Sequence, residues 1–522
     1  MSAIAAPAPT GAAKPAEPTP KLVGGLLAGG ILVGGLAGYL GSTGSVTHVL
    51  ALGIVLLPVA LWKRPYLVPA VLLGSGVLIE QNTQIPHIPL TSKIPLYSSV
   101  GGHLQGGDIL LLMVSFIYLV KRREWETRLI PHTHVSVAVR AVLACAVLAV
   151  LVGQVHHGSL RTGLMQARPW VYLAATYFLT CAFVRDRRAI RALLWTFVGT
   201  VGFKALQCIY LWTSHRHMVP KPESYISHEA SYFFVTFVIL VAALWLFGQR
   251  GRLRTWATWL LPFVIFAIIV NNRRAAWEML GAALLCFAVI AYAAMPIRRH
   301  TLGKAIVALT LCSVVYFPVM WNSGSSLAAP ARAIKSQVSP SYRDASSDVY
   351  RVQENANLEA NIKQSGLLGK GYGVKIDYAL PIVDISANDS VIAYVPHNQV
   401  LDLFVGMGVL GAVAVWFLIG AGIISGSRLA RGRDQEFAVI GLMVACALVA
   451  YALIGALDVG FFWYRIAFIT GTLLGLVDAA RRLTHESSPV VAPPGGDRRY
   501  WAASNLVTGG RLRTPRSWAS SR

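Results

Sequence analysis

The stretch FAVIGLMVACALVAYALIGA, residues 437–456, contains no charged side chain over twenty positions. An α-helix rises about 1.5 Å per residue, so about 20 apolar residues cross the hydrocarbon core of a bilayer. This stretch therefore predicts a transmembrane helix. Further stretches of similar composition bring the expected total to about 12–14 helices. They are 22–40, 46–62, 66–80, 107–120, 135–153, 169–184, 192–212, 231–248, 255–271, 275–295, 302–320, 399–424 and 460–478.

The composition of the whole chain agrees with these spans. Of the 522 residues, 55% are hydrophobic and 13% are charged, and the mean hydropathy is +0.56. Soluble domains carry about 25% charged residues. No segment between the predicted spans is long enough to hold a soluble core of its own. The expected fold is an all-α polytopic membrane protein.

Changes in composition divide the chain into five segments. Residues 1–21, which are rich in Ala, Pro and Thr, predict a disordered cytoplasmic N-terminus. Residues 481–522 predict a basic, disordered cytoplasmic tail. Neither segment holds enough apolar surface to order itself. Residues 22–321 are expected to form an N-terminal transmembrane bundle. Residues 322–396 predict one large extracytoplasmic loop, and residues 397–480 the C-terminal transmembrane helices.

The basic residues between the spans predict the orientation. With a cytoplasmic N-terminus and an even number of spans, every inward loop is basic, as the positive-inside rule requires. These loops are Lys63–Arg64, Lys121–Arg128, Arg185–Arg191, Arg250–Arg254, Arg298–Lys304, Arg428–Arg433 and the tail from Arg481. The net charge of +23 is thus mainly a topology signal and an attraction to anionic lipid. A nucleic-acid partner is disfavoured, because the basic residues are dispersed between spans and no binding module is present.

Metal and disulfide chemistry have little support in the sequence. All six cysteines fall inside predicted spans with no CxxC spacing, so small packing residues are the favoured interpretation. The outward histidines and a neighbouring acid lack the i, i+4 spacing of a helical metal site. These are His156, His157, His215, His217, His228 and Glu229. We therefore expect neither a metal nor a cofactor.

A second set of cations lies on the outward side, against the general bias. They are Arg161, Arg168, Arg216, Lys221, Arg273, Arg274, Lys335 and Arg351. Interfacial snorkelling is the simpler explanation for Arg216 and Arg273 taken singly. The alternative is an anion site, because guanidinium groups bind phosphate oxygens bidentately and several converging on one cavity suit a diphosphate. Arg161 and Arg168, before a span, are candidates for contacts with such a donor or with its acceptor.

The polar segment Asn322–Pro396 is the one large water-exposed stretch, and loops on a rigid scaffold often carry catalytic groups. Within it, Ser347–Gln364 has a helical pattern, with Arg351, Asn355, Leu358 and Ile362 predicted on one stripe. Glu354 adjoins Arg351; a structural role is the favoured interpretation, with pairing to Arg351 or service as an alternative base left open.

Two further features follow this helix. Glycines in Gly369-Lys370-Gly371-Tyr372-Gly373 supply turns and close backbone approach. The pair His397-Asn398 then opens the next predicted span, with Asp402 five residues beyond the histidine. A histidine at the outer end of a span is held by packing and also reached by water. Asp402 and Glu354 are expected to be structural partners.

Taken together, these elements resemble the O-antigen ligase and Wzy-type polymerase superfamily. The resemblance covers about residues 272–411 and rests on the order and spacing of short motifs. The motifs are Asn272-Arg273-Arg274-Ala275-Ala276-Trp277, the Arg351 segment, the Gly369–Gly373 turn, His397-Asn398, Asp402 and Gly408-Val409-Leu410-Gly411. Arg273-Arg274-Ala275 stands where that family usually has Ser-Arg-Gly.

The resemblance implies a GT-C-like glycosyltransferase in the bacterial cytoplasmic membrane, with its active site on the extracytoplasmic side. It would transfer a glycan from an undecaprenyl diphosphate-linked donor to a hydroxyl of a glycolipid or glycan acceptor, without metal or nucleotide sugar. His397 matches the catalytic base, and Arg274 and Arg351 match the arginines that bind the donor diphosphate. Asn398, Gly371 and Gly373 belong to the supporting motifs. A ligase is slightly preferred, and a polymerase with the same donor site stays open.

The residues are compatible with this chemistry independently of the resemblance. Displacing a diphosphate needs charge stabilisation, which fixed arginines supply, and proton removal from a hydroxyl, which a histidine supplies. Two other classes remain as alternatives. A transporter or lipid flippase predicts broken spans with ionisable residues at mid-bilayer, and a structural membrane partner predicts no converging site.

Overall fold

A computed structural model of the protein describes residues 56–80, 96–97, 99–101, 104–125, 131–219, 222, 224–296, 299–339, 342–383 and 393–486. The predicted N-terminal segment 1–21, the predicted span 22–40 and residues 487–522 of the predicted tail lie outside the described residues.

The described residues are predominantly helical. We number the helices α1 (Leu56–Lys63), α2 (Val68–Leu78), α3 (Gly106–Trp125), α4 (His134–Val155), α5 (Leu160–Phe183), α6 (Arg187–His215), α7 (Ala230–Leu246), α8 (Arg252–Asn271), α9 (Arg274–Ala294), α10 (Arg299–Met320), α11 (Ala329–Val338), α12 (Tyr342–Ser365), α13 (Gln399–Gly406), α14 (Gly408–Ala430), α15 (Gln435–Leu457) and α16 (Tyr464–Glu486). Short 3₁₀ turns, Pro65–Leu67 and Ser326–Ala328, precede α2 and α11. Strands β1 (Ser99–Gly101) and β2 (Leu104–Gln105) form one antiparallel pair.

Seven of these helices are long and apolar enough to cross a membrane: α4, α6, α8, α9, residues 302–320 of α10, α14 and α15. The bent pair formed by α1 with Pro65–Leu78, at 112°, brings the number within the described residues to eight if it is one span. The coarse prediction of an all-α, multi-pass membrane protein is therefore confirmed. Within the described residues, which do not include the predicted span 22–40, fewer helices than the predicted 12–14 meet these criteria of length and apolarity.

The lower number has physical reasons. The apolar stretches at 107–120, 169–184 and 460–478 do form helices, but α3, α5 and α16 include charged turns that lower their hydropathy. Helix α7 has 17 residues and falls short in length. The predicted span at 399–424 is still counted, through α14, but it is interrupted at Met407, where α13 ends and α14 begins with Gly408 in the left-handed region (φ 67°). Helix α16 also continues to Glu486, into the segment predicted as tail.

Polar side chains at the N-caps determine where several helices begin. The side-chain oxygens of Thr133, Ser159, Asp186 and Asp434 each accept a hydrogen bond from a backbone N–H in the first turn of α4, α5, α6 and α15. Such caps satisfy N–H groups that have no partner within the helix, and each is worth about 1 kcal/mol.

Small residues allow the central helices to approach closely. Helix α15, the most buried of the seven, packs on α14, α9 and α7. A Cβ added to Gly426 of α14 would lie 2.6 Å from the carbonyl oxygen of Gly441 in α15. Likewise, a Cβ on Gly471 of α16 would lie 2.3 Å from the carbonyl oxygen of Leu173 in α5. This small-residue packing is typical of helices that associate in lipid.

Two ionic groups are fully buried among α2, α6, α7 and α16. Lys204 donates to Glu80 (Nζ–Oε1 2.6 Å), and neither side chain is exposed. The guanidinium of Arg465 donates to the carbonyls of Gly76 and Val77 at 2.9 and 2.6 Å and lies 3.8 Å from Glu229. Removing one partner of such a pair leaves an uncompensated buried charge.

Several of the basic loops that are predicted to lie on one side of the membrane contact each other. Arg187 contacts Asp434 and Glu436, and Arg191 donates to Glu436 at 2.9 Å, so the loops before α6 and α15 meet. Arg188 donates to the hydroxyl of Tyr66 at 3.0 Å, which joins the loop after α1 to the same end. These contacts are those expected of loops on one face of a membrane.

Candidate functional site

At the other end of α15 a cavity of about 860 Å³ opens. This is within the 300–1,000 Å³ range common for small-molecule sites. The start of α7, the start of α9, helix α11, the first half of α12 and the end of α15 contribute to it. Its lining includes the side chains His228, Ser231, Arg273, Arg274, Trp277, Glu278, Arg332, Ser336, Asp348, Tyr350, Arg351, His397 and Asp458. Three predicted site residues, Arg274, Arg351 and His397, thus lie in one cavity although they are far apart in sequence.

Arg273 and Arg274 reach the cavity because α8 ends in a sharp turn. Asn272 caps α8 in the left-handed conformation (φ 52°), and Arg274 is the first residue of α9. The Arg274 guanidinium bonds both carboxylate oxygens of Asp348, Nη2 to Oδ1 at 2.9 Å and Nη1 to Oδ2 at 3.4 Å. Arg273 donates to the Ser224 hydroxyl at 2.7 Å. A bidentate carboxylate on Arg274 shows that its fork is oriented to hold two oxygens.

Helix α12 presents a polar face to the rest of the polar segment Asn322–Pro396. The sequence predicted a stripe of Arg351, Asn355, Leu358 and Ile362, but the most buried residues are Glu354, Asn357, Leu358, Asn361 and Ser365. The side-chain amide of Asn357 bonds both the N–H and the carbonyl of Leu380, at 2.7 and 2.9 Å. Asn361 bonds both backbone groups of Asp377, at 3.1 and 2.7 Å. The buried amides therefore hold the irregular chain after Gly373 by its backbone.

Glu354 connects this face to the catalytic candidate. One carboxylate oxygen lies 3.2 Å from Nδ1 of His397, and the other accepts the backbone N–H of His397 at 3.0 Å. The Glu354 side chain is 2% exposed and that of His397 is 26% exposed. The ring of Tyr350 meets the imidazole edge-on, with centroids 5.6 Å apart. Glu354 pairs with His397 and not, as one prediction had it, with Arg351.

The surroundings of His397 alter its proton affinity. Burial acts to lower the pKa of His397, but the hydrogen bond and the charge of Glu354, with a smaller contribution from Asp458, outweigh it. The pKa of His397 is therefore raised from its ordinary value. With Nδ1–H donated to Glu354, the neutral imidazole has Nε2 as its acceptor nitrogen, which is the arrangement of a carboxylate-oriented general base.

A second histidine, which the sequence reasoning weighed only as a metal ligand, lines the same cavity. Nδ1 of His228 lies 2.9 Å from Oδ2 of Asp458, and its ring meets the ring of Trp463 edge-on at 5.8 Å. Burial acts to raise the pKa of Asp458, but His228 and the backbone N–H of Val459 outweigh it and hold that pKa well below its usual range. In the sequence, His228 and Asp458 could be noticed only as polar residues that each lie at the boundary of a predicted span.

Arg161 and Arg168, also predicted to contact the donor or acceptor, do not line this cavity. Arg161 is exposed in the first turn of α5. Arg168 lies two turns further along the helix, where its guanidinium is 3.5 Å from the carboxylate of Asp108 in α3. Among the other outward cations, Arg216 stacks on Trp212 and Lys335 donates to Asn322 at 2.7 Å. Lys221 lies outside the described residues.

The supporting residues act through packing and capping. Asn398 caps α13 by accepting the N–H of Leu401 at 3.2 Å, and its amide donates to Asn355 of α12 at 3.1 Å. Asp402 is 9% exposed in α13, where burial and the charge of Glu354 raise its pKa to about 8. Both Gly371 and Gly373 have φ 88°, and their backbones touch the end of α4 and the start of α5.

Among the described residues, no group of three or more His, Cys, Asp or Glu side chains is arranged to hold a metal ion. The chemical groups in the cavity are guanidinium groups, imidazoles paired with carboxylates, and hydroxyls. They are suited to binding an oxyanion and to moving a proton. No family model matches the chain, and no curated protein matches it.

Proposed function

We propose that the cavity is the active site of a membrane glycosyltransferase that moves a glycan from a polyprenyl diphosphate to an acceptor hydroxyl. The observation that carries the proposal is that one cavity holds Arg274, Arg351 and His397 together, with the imidazole oriented by a buried carboxylate. Guanidinium groups answer the need to bind a diphosphate, and the imidazole answers the need for a base.

The reaction needs no covalent intermediate. The acceptor oxygen attacks the anomeric carbon, the bond from that carbon to the diphosphate oxygen breaks, and the bonding electrons leave with the diphosphate. The proton of the acceptor hydroxyl moves to Nε2 of His397. The hydrogen on Nδ1 of His397 remains there and stays hydrogen-bonded to Glu354. Arg274 and Arg351 stabilise the charge that grows on the leaving group, and such fixed electrostatics are often the largest contribution to catalysis. A single displacement inverts the anomeric configuration.

The ion pair between Arg274 and Asp348 bears on how the donor binds. Asp348 occupies both arms of the Arg274 guanidinium and is 39% exposed. A diphosphate presents the same pair of oxygens with more charge, so it competes with Asp348 for the same fork. Donor binding is therefore an exchange of one anion for another, with Asp348 released to water.

The position of the cavity suits a donor held in the membrane. Leu457 and Asp458 line it at the C-terminal end of α15, and the basic loop Arg431–Arg433 precedes the other end. With 23 residues, α15 is about 34 Å long, which matches the thickness of a bilayer core. If the basic loops face the cytoplasm, the cavity lies at the extracytoplasmic surface of the cytoplasmic membrane.

Reconstitution tests the proposal directly. Purified protein in proteoliposomes is given an undecaprenyl diphosphate-linked oligosaccharide and candidate glycolipid or glycan acceptors, with and without EDTA. We expect transfer that survives EDTA and falls at least about 100-fold in His397→Ala, because general base catalysis contributes about 10²–10⁴-fold. Undiminished transfer by that variant would remove His397 from the role of base. Absence of transfer with every acceptor would refute the proposal.

The acceptor decides between a ligase and a polymerase. Both reactions use the same donor groups, and a polysaccharide ligase is our first choice. In the reconstituted system, a ligase joins the glycan to a glycolipid, whereas a Wzy-type polymerase lengthens the lipid-linked glycan itself. Mass analysis of the lipid-linked products separates the two outcomes.

Two observations favour a second candidate, a lipid or polysaccharide transporter. The 112° bend between α1 and Pro65–Leu78 is a broken apolar segment. The buried Lys204–Glu80 pair lies beyond its end and has the intramembrane ionisable groups that transporters use. Movement of a fluorescent polyprenyl diphosphate across vesicles, abolished in Lys204→Met and retained in His397→Ala, would support this candidate over the transferase.

A further inference from the structure

The cavity contains a second imidazole that the proposed displacement does not use. Nδ1 of His228 bonds Oδ2 of Asp458 at 2.9 Å, and the other oxygen of Asp458 accepts the N–H of Val459 at 2.8 Å. Because a carboxylate only accepts, Nδ1 of His228 carries the hydrogen, and in the neutral tautomer Nε2 is the acceptor nitrogen. His228 lines the cavity with 27% of its side chain exposed.

The structure fixes the short segment that carries His228. Both Tyr225 and Ile226 donate their backbone N–H groups to Oδ1 of Asn271, each at 3.1 Å. Immediately before the histidine, the hydroxyl of Ser227 accepts a hydrogen bond from the buried guanidinium of Arg465 at 2.6 Å. The segment before His228 is thus held at Tyr225, Ile226 and Ser227, and Asp458 holds the imidazole itself, as is needed for a group that contacts a ligand.

The side chains of the cavity suit two kinds of ligand. The guanidinium groups of Arg274 and Arg351 favour the diphosphate. Glu354 and Asp458 each pair with Nδ1 of one imidazole, so the two rings present their Nε2 atoms as groups that suit a neutral hydroxyl. The charge of Asp458 acts on His397 as well as on His228, so the two imidazoles belong to one neighbourhood.

We propose that His228 binds the acceptor sugar: its Nε2 accepts a hydrogen bond from a hydroxyl of the ring whose neighbouring hydroxyl loses its proton to His397. The proposal rests on the transferase function above. No bond is made or broken at His228, and the proton of the bound hydroxyl stays in place. His228 thereby selects an acceptor with two hydroxyls at suitable spacing and orients it for attack, while the arginines hold the donor.

The partition of the donor between acceptor and water tests this role. In the reconstituted system, donor hydrolysis and transfer are measured together at increasing acceptor concentration. We expect His228→Gln to raise the acceptor KM roughly tenfold and to lower the ratio of transfer to hydrolysis by a similar factor, as for loss of one well-placed hydrogen bond. Asp458→Asn, which keeps the side-chain shape but no longer fixes the tautomer, should change the ratio in the same direction. Binding of undecaprenyl diphosphate should be retained by both variants.

Two comparisons make the test specific. His215→Gln is the matched control, because His215 bonds the Leu211 carbonyl at the end of α6 and does not line the cavity. His397→Gln should lower transfer and hydrolysis alike, since the base acts on either nucleophile. An unchanged acceptor KM in His228→Gln, or loss of undecaprenyl diphosphate binding, would overturn this inference alone. A fall of at least about 100-fold in both transfer and hydrolysis, with no acid limb in the residual pH profile, would instead make His228 the base. If the unaltered protein neither transfers nor hydrolyses the donor, the proposed function itself fails.

Discussion

At the scale of single residues, the contact between Glu354 and His397 governs when the proposed base can act. The imidazole accepts a proton only in its neutral form, so the rate should rise with pH through the raised pKa of His397. In Glu354→Gln the hydrogen bond to a charged carboxylate is lost, and burial, which lowers the pKa, is no longer outweighed. We expect the acid limb of the kcat/KM profile to move to lower pH, together with a lower maximal rate from poorer orientation.

The same pair also links stability to pH. A raised folded-state pKa stabilises the protein below the unfolded pKa of about 6.5, and this contribution is lost as pH rises through the folded value. Glu354→Gln should therefore lower Tm more at pH 5.5 than at pH 8.5. A pH profile and a Tm difference that do not change in the variant would show that Glu354 leaves the protonation of His397 unaffected. Glu359→Gln, on the exposed face of α12, is the control.

Asp348 offers a second prediction at this scale. Because it occupies the Arg274 fork, Asp348→Asn should free that guanidinium and tighten binding of undecaprenyl diphosphate by roughly tenfold or less, the range expected for removing one partly exposed competing charge. Titration of the labelled lipid into purified protein measures the Kd. Asp377→Asn is the matched control, because Asp377 pairs with Lys370 and does not line the cavity. Weaker binding in Asp348→Asn would mean that Asp348 helps to hold the donor.

At the scale of elements, the glycine turn Gly369–Gly373 joins the polar segment to the transmembrane helices. The N–H of Tyr372 donates to the carbonyl of Ala149 in α4 at 2.8 Å, and Gly373 is bonded through its backbone to Ser159 and Gln166. The glycines are needed because backbone meets backbone here. A Cβ on Gly371, already at φ 88°, would lie 2.1 Å from the nitrogen of Gly153.

Gly371→Ala should therefore destabilise the protein by several kcal/mol, with about 1–3 kcal/mol from the left-handed backbone and about as much again from overpacking. Gly366→Ala separates these two effects, since Gly366 also has a positive φ, 62°, but an added Cβ there has no atom within 4 Å. Thermal unfolding in detergent should show a clearly larger fall in Tm for Gly371→Ala. Equal effects of the two changes would contradict the importance of this close approach.

At the scale of the whole molecule, the orientation decides whether the cavity can meet an extracytoplasmic donor. Ser347 lines the cavity, and Arg433 is exposed in the loop at the opposite end of α15. In intact cells, a membrane-impermeant maleimide should label Ser347→Cys. The same reagent should label Arg433→Cys only after permeabilisation, and the parent chain is the control for its six native cysteines. The reverse pattern would place the cavity in the cytoplasm and exclude the proposed donor side.

The sequence could predict where the helices lie, but not where one of them is interrupted or which face of another is buried. Apolar runs such as 437–456 mark helices because backbone groups in lipid must bond within their own segment. The break between α13 and α14 escaped detection, since Met407 and Gly408 interrupt the helix without interrupting the hydropathy. Likewise, the buried face of α12 was misjudged because its amides are satisfied by the backbone of Asp377 and Leu380, partners that no periodicity reveals.

The sequence by itself determined that this is a helical membrane protein with one large polar segment, because hydropathy and charge are local properties of a chain. The resemblance of its short motifs to a known superfamily singled out Arg274, Arg351 and His397. Only the tertiary structure decided that these three residues share a cavity, that Arg168 is paired with Asp108 elsewhere, and that His228 and Asp458 join them. The reason is that side chains as distant in sequence as His228 and Asp458, which are 230 residues apart, meet only when helices pack, and packing depends on the shapes of all the side chains between them.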